Sequence, residues 1–341
     1  MLVPLLAAGS LILGGTPAVP EAAAWRVQEP AMSGSSATPS LTPARAQRAA
    51  VRYAGLASCP GATGKRRVCS PWRLWLRGGK TFDLPDAQVR SLDARGREQA
   101  LRAPISVDPY GRHVAYFATT NHRLVVRNVP SGKRTPVPGQ AGRLPYGLRM
   151  SDVTLRLGPH GRFLVVDPVV SSTQRPPTVI EVATGKTWPL PPPARVQGFS
   201  PDGRLLRLVL DMKETAVYRP GAAVPSAGVP LTGWGALAPG GTTLAAAARE
   251  GSRVSVRFHD PVRHDGTAGA TEPRTPVRVK VPAAEQPRML TWDSSTRLTL
   301  LTFTEPRTYV ARSIDLRDAS ARLADRFTLS RDTWDVHLAG D

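Results

Sequence analysis

The sequence has no long segment with the 3.6-residue apolar periodicity of a surface helix. It has instead 34 prolines and 30 glycines, which together make up nearly a fifth of its 341 residues. Because these two residue types mark turns, their abundance predicts an all-β chain. A hydrophobic content of 41% is enough for a buried core, and the length fits one large domain or two ordinary ones.

Lysine and asparagine are scarce, with six and two residues, although the formal net charge is +19. Such a charge ordinarily indicates nucleic acid, an anionic polymer or a membrane surface as partner. However, arginine, alanine and proline accumulate in proteins from GC-rich genomes, and here the arginines are spread along the chain. Clusters of basic residues mark binding sites better than totals do. We therefore favour compositional bias as the source of the charge and predict no nucleic-acid partner.

Signatures of common enzyme sites are missing. No G-x-S-x-G nucleophile elbow is present, and no G-x-G-x-x-G or P-loop follows a predicted strand. One loop, "FHDPVRHDG", contains four potential metal ligands, but no helix or strand pattern brings them together. The four potential ligands are His259, Asp260, His264 and Asp265. We predict no catalytic residue, no metal site and no cofactor.

Cysteine occurs only twice, at Cys59 and Cys69. Two thiols with no nearby histidine do not complete a metal site. They flank "PGATGKRRV", which has the glycine and threonine content of a hairpin tip. In an oxidising compartment the pair predicts a disulfide that closes the hairpin.

The N-terminus indicates export. Residues 2–15, "LVPLLAAGSLILGG", have the length of a signal-peptide apolar region and are short for a membrane span. Three alanines at 22–24 predict cleavage before Trp25, although no Lys or Arg precedes the apolar run. A signal peptide over 1–24, a Ser/Thr/Pro-rich linker over 25–50 and a single domain over 51–341 follow from this pattern, with no membrane span after cleavage.

One short pattern recurs along the chain. "FSPDGRLLRLVL" (199–210) places a Ser-Pro-Asp-Gly turn before an apolar strand with a single polar residue. Proline at the second turn position presets φ, Ser200 can cap the turn, and Gly203 allows positive φ at its exit. "VDPYGRHVAYF" (107–117) and "LGPHGRFLVV" (157–166) repeat this pattern, so it belongs to a repeating unit.

A second element recurs at a fixed distance. Gly79-Lys80, Gly132-Lys133 and Gly185-Lys186 are 53 residues apart, and strand candidates lie between the two kinds of turn. Four strands every 40–55 residues is the period of a β-propeller blade. The apolar strand after the Pro-x-Gly turn is then the blade's second strand, covered by neighbouring blades.

"FSPDGRLL", followed by a third strand and a Gly turn, resembles the repeat of TolB-type periplasmic propellers, relatives of the WD-repeat class. The resemblance implies an exported, all-β propeller. The repeats predict about six four-stranded blades, with five or seven still open, and a ring closed by residues 332–338. The predicted blades cover 50–104, 105–147, 148–193, 194–231, 232–286 and 287–330.

The resemblance implies binding of proteins or polymers, and we predict a non-catalytic, monomeric recognition or scaffold module. The alternative is a propeller enzyme that acts on extracellular glycans or lactones. The sequence does not identify the binding residues, but long loops in compact domains are often functional, which favours 167–177 and 259–276. Five tryptophans are predicted to pack within or between blades, namely Trp72, Trp75, Trp188, Trp234 and Trp292.

Overall fold

The computed structural model describes most of the chain after residue 48. The described ranges are 49–60, 66–169, 175–192, 194–210, 214–222, 224–226, 229–230, 234–260, 275–305 and 307–341. They all lie in one compact unit, Leu41–Asp341. The predicted signal peptide, most of the linker, residues 170–174 of the first long loop and residues 261–274 of the second lie outside these residues.

The described residues form 26 strands, of which 24 are arranged in six four-stranded antiparallel sheets. These sheets are the six predicted blades of the propeller. The strands of blades 1 to 3 and of a separate hairpin are β1 (Val51–Pro60), β2 (Arg66–Leu76), β3 (Thr81–Leu84), β4 (Arg90–Leu92), β5 (Glu98–Arg102), β6 (Ile105–Val107), β7 (His113–Phe117), β8 (Leu124–Asn128), β9 (Arg134–Pro136), β10 (Val153–Leu157), β11 (Phe163–Pro168), β12 (Thr178–Glu181) and β13 (Thr187–Pro189).

Blades 4 to 6 and the closing strand follow in chain order. Their strands are β14 (Arg195–Phe199), β15 (Leu206–Leu210), β16 (Glu214–Tyr218), β17 (Val229–Pro230), β18 (Trp234–Leu237), β19 (Leu244–Glu250), β20 (Arg253–His259), β21 (Val277–Lys280), β22 (Gln286–Ser294), β23 (Arg297–Thr304), β24 (Thr308–Asp315), β25 (Ser320–Thr328) and β26 (Thr333–Leu338). The helical segments among the described residues are four three-residue 3-10 turns, Gln140–Gly142, Met150–Asp152, Pro159–Gly161 and Pro239–Gly241. No helix in these ranges is long and apolar enough to cross a membrane.

The ring closes as the sequence predicts. The C-terminal strand β26 is the inner strand of blade 1 and pairs with β1, with Tyr53 opposite Leu338. Blade 1 thus takes strands from both ends of the described chain. Its predicted range of 50–104 is too long, because β26, β1, β2 and β3 already fill the four strand positions. The remaining strands, β4 and β5, pair with each other as a separate hairpin.

The turn in "FSPDGRLL" connects the inner strand of blade 4 to its second strand, as predicted. The Leu205 amide donates to the Ser200 hydroxyl oxygen at 3.0 Å, and the Gly203 amide donates to the Ser200 carbonyl at 2.8 Å. Gly203 has φ of +68°, a conformation that side chains with a Cβ resist. After the turn, the side chains of Leu206 and Leu208 are fully buried.

The described cysteines form the predicted disulfide. The bond joins Cys59 of β1 to Cys69 of β2, with their Cα atoms 5.8 Å apart. A bond in this hairpin constrains the unfolded chain and stabilises the fold by on the order of 2–3 kcal/mol. The two residues do not line the cavity described next.

Candidate functional site in the central channel

A cavity of about 230 Å³ lies against the inner strands of four of the six blades. We call it the channel cavity. Inner strands of blades 3 to 6 form most of its wall, and prolines of the Pro-x-Gly turns and the last two residues of the chain complete it. Its polar, charged and aromatic lining includes, together with one glycine, Tyr110, Arg156, Gln197, Gly198, Arg207, Trp234, Arg288 and Asp341.

Two arginines from neighbouring blades lie in this wall. Arg207 is only 7% exposed, and its guanidinium donates to the Gln197 backbone carbonyl at 3.4 Å and to the Gln197 side-chain oxygen at 3.3 Å. The Arg156 guanidinium, on β10, has no hydrogen-bond or ion-pair partner among the described residues. Both lengths for Arg207 lie at the weak end for N–H···O bonds. The two cations are therefore poorly satisfied by the protein itself.

The electrostatics of the pair agree with this geometry. Burial and, to a lesser extent, the positive charge of Arg156 together lower the pKa of Arg207 to about 10. Burial also lowers the pKa of Arg156, while the carboxylates of Asp341 and Asp167 partly offset the effect. Both shifts mean that the charged forms are less stable here than in water. An anion in the cavity would reverse that disadvantage.

Local strand structure explains how these arginines reach the cavity. On β10, Leu155 and Leu157 pack in the core between blades, and alternation places Arg156 on the opposite face. On β15, Arg207 lies opposite Gly198 of the inner strand β14. A Cβ built at Gly198 would meet no heavy atom within 4 Å, so the glycine leaves open space in the wall.

A third arginine and one carboxylate complete the charged wall. Arg288 of β22 forms an ion pair with Asp341, with 3.5 Å between Nη2 and Oδ1. Among the described residues that line the cavity, three arginines and one aspartate leave a net charge of plus two. Positive side chains therefore outnumber negative ones in the wall of the channel cavity.

Aromatic residues line the remaining wall. Trp234, the first residue of β18, is 42% exposed. The Tyr110 hydroxyl donates to the Pro201 carbonyl at 3.3 Å, and burial, with nearby carboxylates, raises the pKa of Tyr110 to about 12. Tyr110 is therefore a neutral hydrogen-bonding group at ordinary pH. An arginine–aromatic wall can hold an anion that carries a carbon body.

The prediction that Trp234 packs in the core is wrong, because its partly exposed side chain lines the channel cavity. The prediction is confirmed for Trp72 and Trp292, which are buried. Their indole N–H groups donate to the carbonyls of Gln88 and Ala236. Two others pack less completely: Trp75 stacks on Tyr53 with 4.6 Å between ring centroids, and Trp188 lies edge-on to Phe163.

The other residues considered from sequence do not assemble in the described structure. His259 and Asp260 are present, but the described ranges contain no group of three or more potential metal ligands. His264 and Asp265 lie outside these ranges, as do 170–174 and 261–274 of the two long loops. The sequence motifs do not point to the three cavity arginines. Their one signal was a charged residue inside an otherwise apolar strand, as in "RLLRLVL".

No protein-family model and no curated protein sequence matches the chain. Among solved structures, dipeptidyl peptidase 4 of Porphyromonas gingivalis is 14% identical over 67% of this chain and 40% of that chain, with a TM-score of 0.41. A putative TolB from Agrobacterium tumefaciens is 13% identical over 71% of this chain and 90% of that chain, with a TM-score of 0.41. A chain of a nidogen/laminin complex is 10% identical over 84% of this chain and 98% of that chain, with a TM-score of 0.42. These are likenesses of fold, and this chain spans less than half the length of the peptidase.

Proposed function

We propose that this chain is an exported, non-catalytic β-propeller that binds a protein or an envelope polymer at its central channel. The observation that carries the proposal is the position of Arg156 and Arg207, whose guanidinium groups line the channel cavity without an ion-pair partner among the described residues. Charged donors that the fold leaves incompletely satisfied are groups that a ligand can complete.

The energetics of the pair support a functional role. Taking a charged group out of water costs several kcal/mol unless close partners compensate for it. An apolar residue at position 207 would avoid this cost, since β15 is otherwise buried and apolar around it. Residues that work against stability in this way are typical of functional sites.

The wall also has the composition of a binding surface. Arginine, tryptophan and tyrosine are the residue types enriched where binding energy concentrates, and Arg156, Trp234 and Tyr110 come from three different blades. Because loops and strand ends of several blades meet at the channel, one ligand can contact all of them.

The compartment is part of the proposal. The Cys59–Cys69 disulfide supports an oxidising environment outside the cytoplasm. The apolar run at 2–15, which lies outside the described residues, also supports export.

Filling the cavity tests the proposal. Gly198→Leu places a side chain in the open space of the wall, and φ at this glycine is not positive, so the substitution is compatible with the backbone. Ala100→Leu, on the exposed strand β5, is the matched control. The full chain, tagged and secreted, is cross-linked in its native envelope, and the cross-linked component is identified and then titrated with purified protein.

We expect wild type and Ala100→Leu to bind the component equally and Gly198→Leu to lose binding. Equal binding by all three proteins would overturn the assignment of the channel. Turnover of an extracellular glycan or lactone panel by purified protein would overturn the non-catalytic role. Deleting residues 264–273 in the same assay measures what the sequence-predicted loop adds.

A further inference from the structure

The geometry points to the chemistry of the ligand: we propose that Arg156 and Arg207 bind the phosphate of a phosphate monoester inside the channel cavity. This inference rests on the proposed function, because it names the group that the same site recognises. The phosphate monoester is either a free small molecule or the terminal group of an envelope polymer, and the experiment below separates these sources.

Charge favours a dianion. The described charged side chains in the cavity wall are three arginines and Asp341, so positive side chains exceed negative ones by two. Asp341 pairs with Arg288 and also acts on Arg156, whereas no carboxylate offsets the charge of Arg207. A phosphate monoester carries close to two negative charges at pH 7, concentrated on one group of oxygens. It therefore suits the positive charge of Arg156 and Arg207 in the wall.

Hydrogen-bonding capacity agrees with charge. Each guanidinium presents five N–H donors in a planar fork that suits phosphate oxygens. In the described structure Arg207 donates through Nη2 only, to two oxygens of Gln197. Its Nε and Nη1 donors, and all those of Arg156, remain for a ligand. Two forks from neighbouring blades can then hold one phosphate from two sides.

Space limits the rest of the ligand. The cavity has a volume of about 230 Å³. This volume suits a phosphate on a small polyol or sugar, either free or at the end of a polymer. Trp234 and Tyr110 supply an aromatic face and a hydroxyl beside the arginines, which suits a body that carries both C–H and O–H groups.

Binding is measured by calorimetry on the intact secreted protein with glycerol 3-phosphate as the probe. Inorganic phosphate, succinate and glycerol are the comparison ligands. The variants are Arg156→Gln, Arg207→Gln and Gly198→Leu, and Arg322→Gln on the exposed strand β25 is the charge-matched control. Thermal unfolding shows whether each variant is folded. Gly198→Leu keeps the test informative if an arginine variant fails to fold, because it retains both arginines.

We expect glycerol 3-phosphate to bind more tightly than succinate, and glycerol not to bind. Each arginine variant should weaken binding about tenfold or more, and Arg322→Gln should leave it unchanged. Gly198→Leu should abolish binding by occupying the space. Equal affinity for succinate and glycerol 3-phosphate, or retained phosphate binding in both arginine variants, would overturn the inference.

Treating the cross-linked envelope component with a phosphomonoesterase shows whether the phosphate monoester is a free molecule or the end of a polymer. Loss of binding after treatment assigns the phosphate to the end of a polymer, whereas release of a small phosphorylated molecule from the isolated protein assigns it to a free metabolite. If the component still binds after treatment and Gly198→Leu still blocks it, the phosphate inference is wrong and the proposed binding function stands. If no component binds at the channel, the proposed function itself is wrong.

Discussion

Gly198 and Arg207 lie directly opposite each other in the pairing of β14 with β15. The glycine leaves open space in the channel wall, and the arginine is a buried cation in an apolar strand. The two residues together create both the room and the charge for an anion. A larger residue at 198 removes the open space and keeps the charge, whereas an apolar residue at 207 removes the charge and keeps the space. The two contributions can therefore be separated by substitution.

Replacing the cation is expected to preserve or increase stability. Arg207→Met removes a desolvated charge that Arg156 repels, and keeps most of the side-chain volume. Substituting apolar residues for buried charges is often neutral or stabilising by about 1–4 kcal/mol. Denaturant unfolding measures the change, with Arg322→Met as the exposed control, which should stay within about 0.5 kcal/mol. A clear loss of stability in Arg207→Met alone would mean that the arginine is structural.

The Pro-x-Gly turn is expected to be sensitive to its glycine. Gly203→Val should destabilise the fold by about 1–3 kcal/mol, because φ of +68° is strained for a β-branched residue. The new Cβ would also lie 3.2 Å from the Pro159 carbonyl oxygen. Gly198→Val is the matched control, because Gly198 has neither a positive φ nor a heavy atom within 4 Å of a built Cβ. This substitution should change the free energy of unfolding little. Equal effects at the two positions would show that the turn conformation is not the cause.

A buried ion pair in blade 6 predicts a response to acid. Burial raises the pKa of Glu285, but hydrogen bonds from Arg312, at 2.9 Å from Nη2 to Oε1, and from Thr302 outweigh it, so the pKa is lowered overall. A carboxyl with a lowered folded-state pKa stabilises the fold above its unfolded pKa of about 4.3, and that stability is lost as pH falls below it.

Wild type should therefore lose free energy of unfolding between about pH 5 and pH 3, where the unfolded-state Glu begins to bind protons. Glu285→Gln should be less stable at pH 7 and should lose less over that interval. Urea titrations at several pH values give the free energy of unfolding of each protein as a function of pH. The same loss between pH 5 and pH 3 in both proteins would rule out Glu285 as a source of the acid response.

The exported form has two predicted covalent features. Intact mass of protein recovered from the medium should correspond to a chain that begins at Trp25 and lacks two hydrogens for the Cys59–Cys69 bond. A retained N-terminus would contradict the predicted signal peptide. Two thiols alkylated without prior reduction would contradict the disulfide in the secreted protein.

Local patterns in the sequence were enough to predict the blades. The turn at Ser200–Gly203 and the Gly-Lys turns each depend on a few neighbouring residues, and they recur, so strand order and the closing strand β26 could be predicted. The first blade was predicted too long because the pairing of β26 with β1 depends on residues far apart in the chain.

The candidate site could not be predicted in the same way. Arg156, Arg207 and Arg288 belong to blades 3, 4 and 6, and they meet only because the ring brings their strands to one channel. Trp234 illustrates the same limit. Its place at the start of a strand was visible in the sequence, but its exposure depends on which inner strands surround it.

Site-specific photo-cross-linking shows whether the ligand occupies the channel cavity. A photoreactive p-benzoylphenylalanine replaces Trp234 at the cavity or Leu323 on β25, which is an exposed apolar position at 66%. We expect a cross-link to the envelope component from position 234, lost when Gly198→Leu is added, and none from position 323. A cross-link from position 323 with none from position 234 would mean that the ligand binds outside the cavity.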